Sequence, residues 1–169
     1  NYRVPTLTIA GSDSSGGAGI QADLKTFSAI GTYGMSVITA ITAQNTEGVF
    51  NVEELSSEII KSQIKAVCED IPPKAIKIGM VSSPKIIKDI VESLEIYPCE
   101  YVVVDPVMIS KSGYSLLRPE AKENLIKYLI PKAYIVTPNV PEAEEISNIK
   151  IKTIEDMKKA GNIILNMGP

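Results

Sequence analysis

The sequence predicts an α/β protein with a mostly parallel central sheet. Three observations lead there. Short β-branched apolar runs alternate along the chain with segments of helical periodicity. Several of the runs are apolar without interruption, as in strands buried on both faces. Each run gives way at its carboxyl end to a glycine, an amide or an acid, where ligands collect in open parallel sheets. Alternating strands and helices imply right-handed crossovers that cover both faces of the sheet.

Residues 4–10 are the first strand, and they run into Gly11-Ser12-Asp13-Ser14-Ser15-Gly16-Gly17-Ala18-Gly19. A helix follows with Ile20, Leu24, Phe27 and Ile30 on one face. Residues 35–43, apolar and Thr-rich, are the second strand, and 49–55 a short edge strand. Helix 56–71 is capped by Ser56, carries a stripe of Ile60, Ile64, Val67 and Ile71, and stops at Pro72-Pro73. Strand 75–79 leads to helix 84–94, with Pro84 in the first turn where its missing N–H costs little. Strand 101–104 ends in Asp105-Pro106. Helix 119–129, strand 133–136 and helices 141–147 and 154–165 complete the pattern, which reads as one domain over 1–169.

Composition removes several function classes. The 169 residues carry 17 basic and 20 acidic side chains, a net charge of −3, with no His and no Trp. A Ser-His-Asp or Cys-His nucleophile system within this chain is excluded, as is a His-ligated metal. The acidic balance argues against a nucleic-acid footprint. Cys68 and Cys99 are too few for a disulfide framework or a four-cysteine zinc site, and packing accounts for Cys68. No apolar run approaches the roughly 20 residues that span a bilayer, and nothing reads as a signal peptide. The expectation is a cytoplasmic protein that binds no membrane.

The strand ends supply the candidate residues. Four glycines between 11 and 19 exceed what a turn needs and let backbone N–H groups approach a ligand. The loop lacks the Gly-Lys-Ser/Thr of a Walker A motif and the spacing of a dinucleotide fingerprint. Asp23, in the first turn of the following helix, fits either a helix-dipole role or acceptance of a hydrogen bond from a substrate hydroxyl. Gln44 offers a paired donor and acceptor suited to an aminopyrimidine edge, or is polar punctuation before a turn. Asp105 and Glu142, at the ends of successive strands, fit Mg²⁺, which takes few protein carboxylates and keeps waters. Glu142 equally fits a first-turn acid. Lys111, with Ser112 and Gly113, suits phosphate neutralisation on a movable loop or is a solvated lysine. Met80 follows a strand–Gly end on the same rim.

Taken together these blocks resemble the hydroxymethylpyrimidine/phosphomethylpyrimidine kinases of thiamine biosynthesis, within the ribokinase-like vitamin kinases. The likeness is carried by residues 7–27, Tyr33-Gly34, Thr42-Ala43-Gln44-Asn45-Thr46, Lys77-Ile78-Gly79-Met80, Asp105-Pro106-Val107-Met108, Lys111-Ser112-Gly113 and Thr137-Pro138-Asn139-Val140-Pro141-Glu142-Ala143. It implies a three-layer α/β/α fold, incomplete at its C-terminal side. By resemblance, Gly11, Ala18, Asp23, Gln44, Met80 and Val107 form the pyrimidine pocket. Gln44 reads the 4-amino group and its neighbouring ring nitrogen, and Asp23 holds the hydroxymethyl arm. Asp105 and Glu142 lie near Mg²⁺, while Asn139 and Lys111 lie near the phosphates of ATP. No catalytic residue is expected within the chain: the anion-hole loop and the base are expected beyond Pro169. The resemblance also implies a homodimer.

Two other readings stay open. A pyridoxal kinase of the same family acts on a similar ring bearing CH₂OH, but a site built for a phenolic oxygen does not need the Gln44 amide. A non-catalytic pyrimidine-binding module fits a chain without a catalytic half. A Rossmann dehydrogenase is disfavoured by the loop spacing and by the absence of an acid about 20 residues after the glycines.

Overall fold

The computed structural model describes residues 3–108 and 119–169. Its elements are β1 (Pro5–Asp13), α1 (Gly19–Ala29), β2 (Tyr33–Gln44), β3 (Val49–Glu54), α2 (Ser57–Asp70), β4 (Ala75–Ile78), α3 (Pro84–Ile96), β5 (Tyr101–Val104), α4 (Pro119–Asn124), β6 (Ile135–Val136), α5 (Val140–Ser147) and α6 (Ile154–Leu165). The six strands form one sheet in the order β3-β2-β1-β4-β5-β6. Only β3 is antiparallel, paired to β2 on the edge. The chain winds outward from β1 to β3, then returns to lay β4 against the free side of β1. The strand order therefore reverses between β1 and β4, the place where such sheets open a crevice.

Strand alternation divides the side chains between two faces. Leu7, Ile9, Val37, Ile76, Ile78, Val102 and Val104 pack with Ile60 and Ile64 of α2, Ile87 and Ile90 of α3, and Leu125 and Leu129. Each fully buried Ile or Leu contributes about 1.5–3 kcal/mol, and this face is the main core. The opposite face is more polar. There α1 covers β1 and β2, with Leu24 and Phe27 packed over Gly34. Helices α2 and α3 start on Ser56 and Ser83, whose side chains accept from Ile59 N–H and Ile86 N–H. Thr153 and Asp156 form a reciprocal cap on α6.

Four local expectations are corrected. Ile30 is 68% exposed, because α1 ends at Ala29 and the chain turns away at Gly31 (φ 84°). In α2, Cys68 is buried in the stripe with Ile60 and Ile64, while Val67 lies at its side. The helix expected over 119–129 is α-helical only to Asn124, widens into a π turn over Leu125–Leu129 and closes as 3₁₀ over Ile130–Lys132. Pro131 has no N–H, and its ring excludes the Lys127 carbonyl four residues back, so the α ladder cannot continue. β6 has only two residues, because Ala133 N–H turns back to the Ile130 carbonyl.

Among the described residues β6 pairs with β5 alone. On this flank Tyr134 and Ile135 are exposed, as is Tyr101, whose ring meets Tyr134 edge to face at 5.2 Å. Among the described residues no helix is long and apolar enough to cross a membrane.

Candidate active site

The carboxyl ends of β1, β2, β4 and β5 enclose a cleft of about 540 Å³, within the range of small-molecule sites. It collects Gly11, Ala18, Asp23, Gln44, Met80, Asp105 and Val107 from the expected set. Asn139 and Glu142 are not among its described lining residues. Lys111, Ser112 and Gly113 lie outside the described residues.

The glycine loop is organised from within. Asp13, buried at the end of β1, accepts from the Ser15 N–H and hydroxyl (both 2.8 Å) through Oδ1. Its Oδ2 accepts from the N–H groups of Gly17 (3.0 Å) and Ala18 (2.8 Å). Gly16 N–H goes to the Asp13 carbonyl at 3.0 Å. Burial pushes the Asp13 carboxyl up, but the bonds from Ser15, Ala18 and Gly17 outweigh it and hold the group below the usual range. The expectation that these amides cradle a ligand is thus corrected. They bind the chain's own carboxylate, and the loop meets the cleft through its surface. Gly19 (φ 57°) brings α1 against β1: a Cβ there would stand 2.3 Å from the Gly11 carbonyl oxygen. Gln21 then clasps the strand, accepting from Asp13 N–H (2.8 Å) and donating to Ser12 Oγ (2.7 Å).

Gln44 is held by its backbone. The Ser14 hydroxyl donates to the Gln44 carbonyl at 2.7 Å and accepts from its N–H at 2.9 Å. The side-chain oxygen lies 3.3 Å from Thr42 Oγ1, whose hydroxyl donates to the Ser12 carbonyl at 2.8 Å. The amide nitrogen has no partner among the described residues, so the cleft is offered a donor beside an acceptor. Apolar walls come from Met80 and from Val107, the latter set beside Asp105 by a three-residue turn around Pro106 in which Val107 N–H reaches the Asp105 carbonyl at 2.8 Å. A β-bulge in β2 opposite Gly11 lets Thr39 Oγ1 donate to the Met80 carbonyl at 3.0 Å.

Asp23 is not in the first turn of α1, which holds no acid; it lies one turn further in, above β1. The helix-dipole reading therefore lapses. Its Oδ2 accepts from Thr8 Oγ1 at 2.6 Å and from Lys77 Nζ at 3.0 Å, and Lys77 Nζ is 3.8 Å from Asp105 Oδ2. Burial raises the Asp105 carboxyl above the usual range; Lys77 opposes the shift and the Asp23 charge adds to it.

Glu142 and Asn139 start α5. Asn139 Oδ1 accepts from Glu142 N–H, and Glu142 Oε2 accepts from Asn139 N–H, both at 2.9 Å. The first-turn role of Glu142 is thus realised, and the Asn139 side-chain oxygen is used in the cap. Burial pushes Glu142 up against the bonds from Asn139 and Met108, and the Asp105 charge pushes the same way. A half-buried Asp105 and a buried Glu142, both held above the usual carboxylate range, suit a divalent cation that keeps its waters. A cage of three or more acidic, Cys or His ligands does not occur among the described residues.

Sequence reasoning gave no role to Lys77, Thr8, Thr39 or Asp13. Lys77 and Thr8 had a signal: each interrupts an apolar strand at the alternate position. That they meet depends on β1 lying beside β4, which the chain order does not reveal.

Comparison with known proteins is consistent with this geometry. The family model for phosphomethylpyrimidine kinase matches residues 13–169. The hydroxymethylpyrimidine/phosphomethylpyrimidine kinase of Bacillus subtilis (strain 168) is 51% identical over 162 residues, covering 96% of this chain and 60% of the relative. The crystal structure of phosphomethylpyrimidine kinase from Clostridium difficile 630 superposes with a TM-score of 0.94 at 76% identity, covering 99% of this chain and 72% of that one. Pyridoxal kinase from Staphylococcus aureus, solved in complex with pyridoxal, superposes with a TM-score of 0.89 at 44% identity, covering 99% and 61%. The chain thus spans about 60% of the length of the curated relative from B. subtilis. The fold is the ribokinase-like one of the vitamin kinases. On the match over residues 13–169, the chain belongs to the phosphomethylpyrimidine kinase family.

Proposed function

We propose that the protein carrying this chain transfers phosphate from ATP to the hydroxymethyl group of 4-amino-5-hydroxymethyl-2-methylpyrimidine, and then to the resulting monophosphate, in thiamine diphosphate formation. The observation that carries the reading is the meeting, in one cleft, of the Gln44 amide and the Asp23 carboxylate between the walls of Met80 and Val107. Gln44 pairs with the 4-amino group and the adjacent ring nitrogen. Gly11, Ala18, Met80 and Val107 enclose the flat ring. Asp23 accepts from the hydroxyl and so aims its oxygen toward the phosphate side. Positioning and charge neutralisation do most of the work in such transfers.

Asp105 and Glu142 are the residues to hold Mg²⁺, which when bound neutralises phosphate charge. Asn139 and Lys111 fall to the nucleotide phosphates. In this reading residues 1–169 are one substrate-binding unit, and the base and the loop around the transferring phosphoryl group lie outside them. A cytoplasmic homodimer belongs to the same reading, on family resemblance.

A pyridoxal kinase is the second reading, favoured by the 44% identity to the S. aureus protein solved with pyridoxal. The test is ATP- and Mg²⁺-dependent turnover by the full-length protein, with products identified by mass. Formation of pyrimidine mono- and diphosphate supports the proposal. Turnover of pyridoxal alone favours the second reading, and binding without turnover makes the protein a pyrimidine-binding module.

A further inference from the structure

The register of the sheet sets Ser36, Thr8, Lys77 and Val103 side by side across β2, β1, β4 and β5. Thr8 and Lys77 are therefore neighbours on the face beneath α1, and Asp23 comes down on them from that helix. Both direct their donors to one atom. Thr8 Oγ1 reaches Asp23 Oδ2 at 2.6 Å, and Lys77 Nζ reaches the same oxygen at 3.0 Å. Oδ1 has no partner among the described residues. Two donors arriving on one oxygen fix the plane of a carboxylate and leave its second oxygen as the free acceptor.

The ammonium of Lys77 occupies a fitted slot. A Cβ on Gly79 would stand 2.9 Å from Lys77 Nζ and 3.0 Å from the Ala10 Cβ, so a side chain there would crowd the ammonium. Side-chain exposure is 24% for Lys77 and 16% for Asp23. Among the described residues that line the cleft, Lys77 is the one cation, facing Asp23 directly and Asp105 at 3.8 Å. Without it two carboxylates would confront each other across the cleft floor with nothing between them.

We infer that Lys77 is a positioning residue for the alcohol that accepts phosphate: with Thr8 it fastens Oδ2 of Asp23, so that Oδ1 is presented to the hydroxyl of the ligand. The inference rests on the proposed pyrimidine site for the identity of the ligand. It goes beyond that reading by assigning the hydroxyl's orientation to a residue the reading does not use. Lys77 does not touch the alcohol; it acts through Asp23.

The experiment titrates the full-length protein, without nucleotide, with 4-amino-5-hydroxymethyl-2-methylpyrimidine and with 4-amino-2,5-dimethylpyrimidine, which lacks only the hydroxyl. A hydrogen bond to a fixed carboxylate corresponds to a preference of about 10- to 100-fold for the hydroxylated ligand. In Lys77→Met the preference is expected to fall to within about threefold, while the affinity for the dimethyl compound stays within about twofold of wild type. An unchanged preference overturns the inference. So does an equal loss of affinity for both ligands, because a merely structural lysine would weaken the pocket without regard to the hydroxyl. If Lys77→Met does not fold, Thr8→Val removes the other donor to Oδ2 at nearly unchanged bulk; an unchanged preference there overturns the inference equally. Equal affinity of the wild-type protein for the two compounds also overturns the inference, whereas failure to bind either one is a different failure: it removes the pyrimidine reading itself before any substitution is made.

Discussion

A Cβ built on Gly11 would stand 2.3 Å from the Cε methyl of Met80, so the two residues share one volume at the cleft floor. The Met80 backbone is pinned by Thr39, so only its flexible thioether can give way. Gly11→Ala is expected to push that side chain into the cleft, weakening the pyrimidine complex about tenfold, with a stability cost below about 1 kcal/mol. Calorimetric titration beside a thermal melt checks it. Unchanged affinity would mean that Met80 finds space elsewhere.

Asp13 organises the loop that faces this floor. Asp13→Ala leaves the N–H groups of Ser15, Gly17 and Ala18 without their acceptor and should cost about 2–3 kcal/mol. The pH dependence has a definite sign. The folded-state pKa lies below the ordinary 3.8, so the carboxylate's contribution is complete above that value and is lost as pH falls through the lowered one. Denaturant unfolding should show the same penalty for Asp13→Asn at pH 7 and pH 5, shrinking toward pH 3. A penalty that grows on acidification would contradict the assignment.

Glu142 has two roles that one substitution separates. Glu142→Gln keeps an oxygen for the Asn139 N–H, so the cap survives. Burial raises the pKa of the native carboxyl, so wild-type stability falls as pH rises from the ordinary 4.5 through the raised value. The variant, which has no such proton to lose, should therefore equal or exceed wild type in melting temperature at pH 7, with the gap closing toward pH 4.5. If Glu142 also holds Mg²⁺, the Mg²⁺ concentration for half-maximal turnover should rise about tenfold or more. A large loss of stability with unchanged Mg²⁺ dependence would make Glu142 a cap and nothing else.

The flank of β6 gives a prediction about the 169 residues produced alone. Tyr101, Tyr134 and Ile135 are exposed beside a strand paired on one side only, an arrangement prone to self-association. Sedimentation should show concentration-dependent assembly, reduced by Ile135→Lys. A monodisperse sample that melts cooperatively would contradict this.

Much of the fold was legible because its signals are local. Apolar runs marked the strands, Ser56 and Pro84 marked helix starts, and the rule that ligands gather at strand ends brought Gly11, Gln44, Met80 and Asp105 together before any topology was known. What escaped depends on contacts across the sheet. Thr8, Asp23 and Lys77 are far apart in sequence and meet through the β1–β4 register. The four glycines between 11 and 19 read as a ligand cradle, whereas the three-dimensional arrangement gives the amides of Ser15, Gly16, Gly17 and Ala18 to Asp13. The π turn before Pro131 escaped because side-chain periodicity over 119–129 reports amphipathicity and not ladder geometry.

The central claim is that the cleft recognises an aminopyrimidine through Gln44. The most direct measurement is the affinity of the full-length protein for 4-amino-5-hydroxymethyl-2-methylpyrimidine and for pyridoxal, in wild type and in Gln44→Leu. The account predicts that wild type binds the pyrimidine at least about tenfold more tightly and that Gln44→Leu removes most of that preference. Equal affinities in wild type, or a preference that survives the loss of the amide, would contradict it.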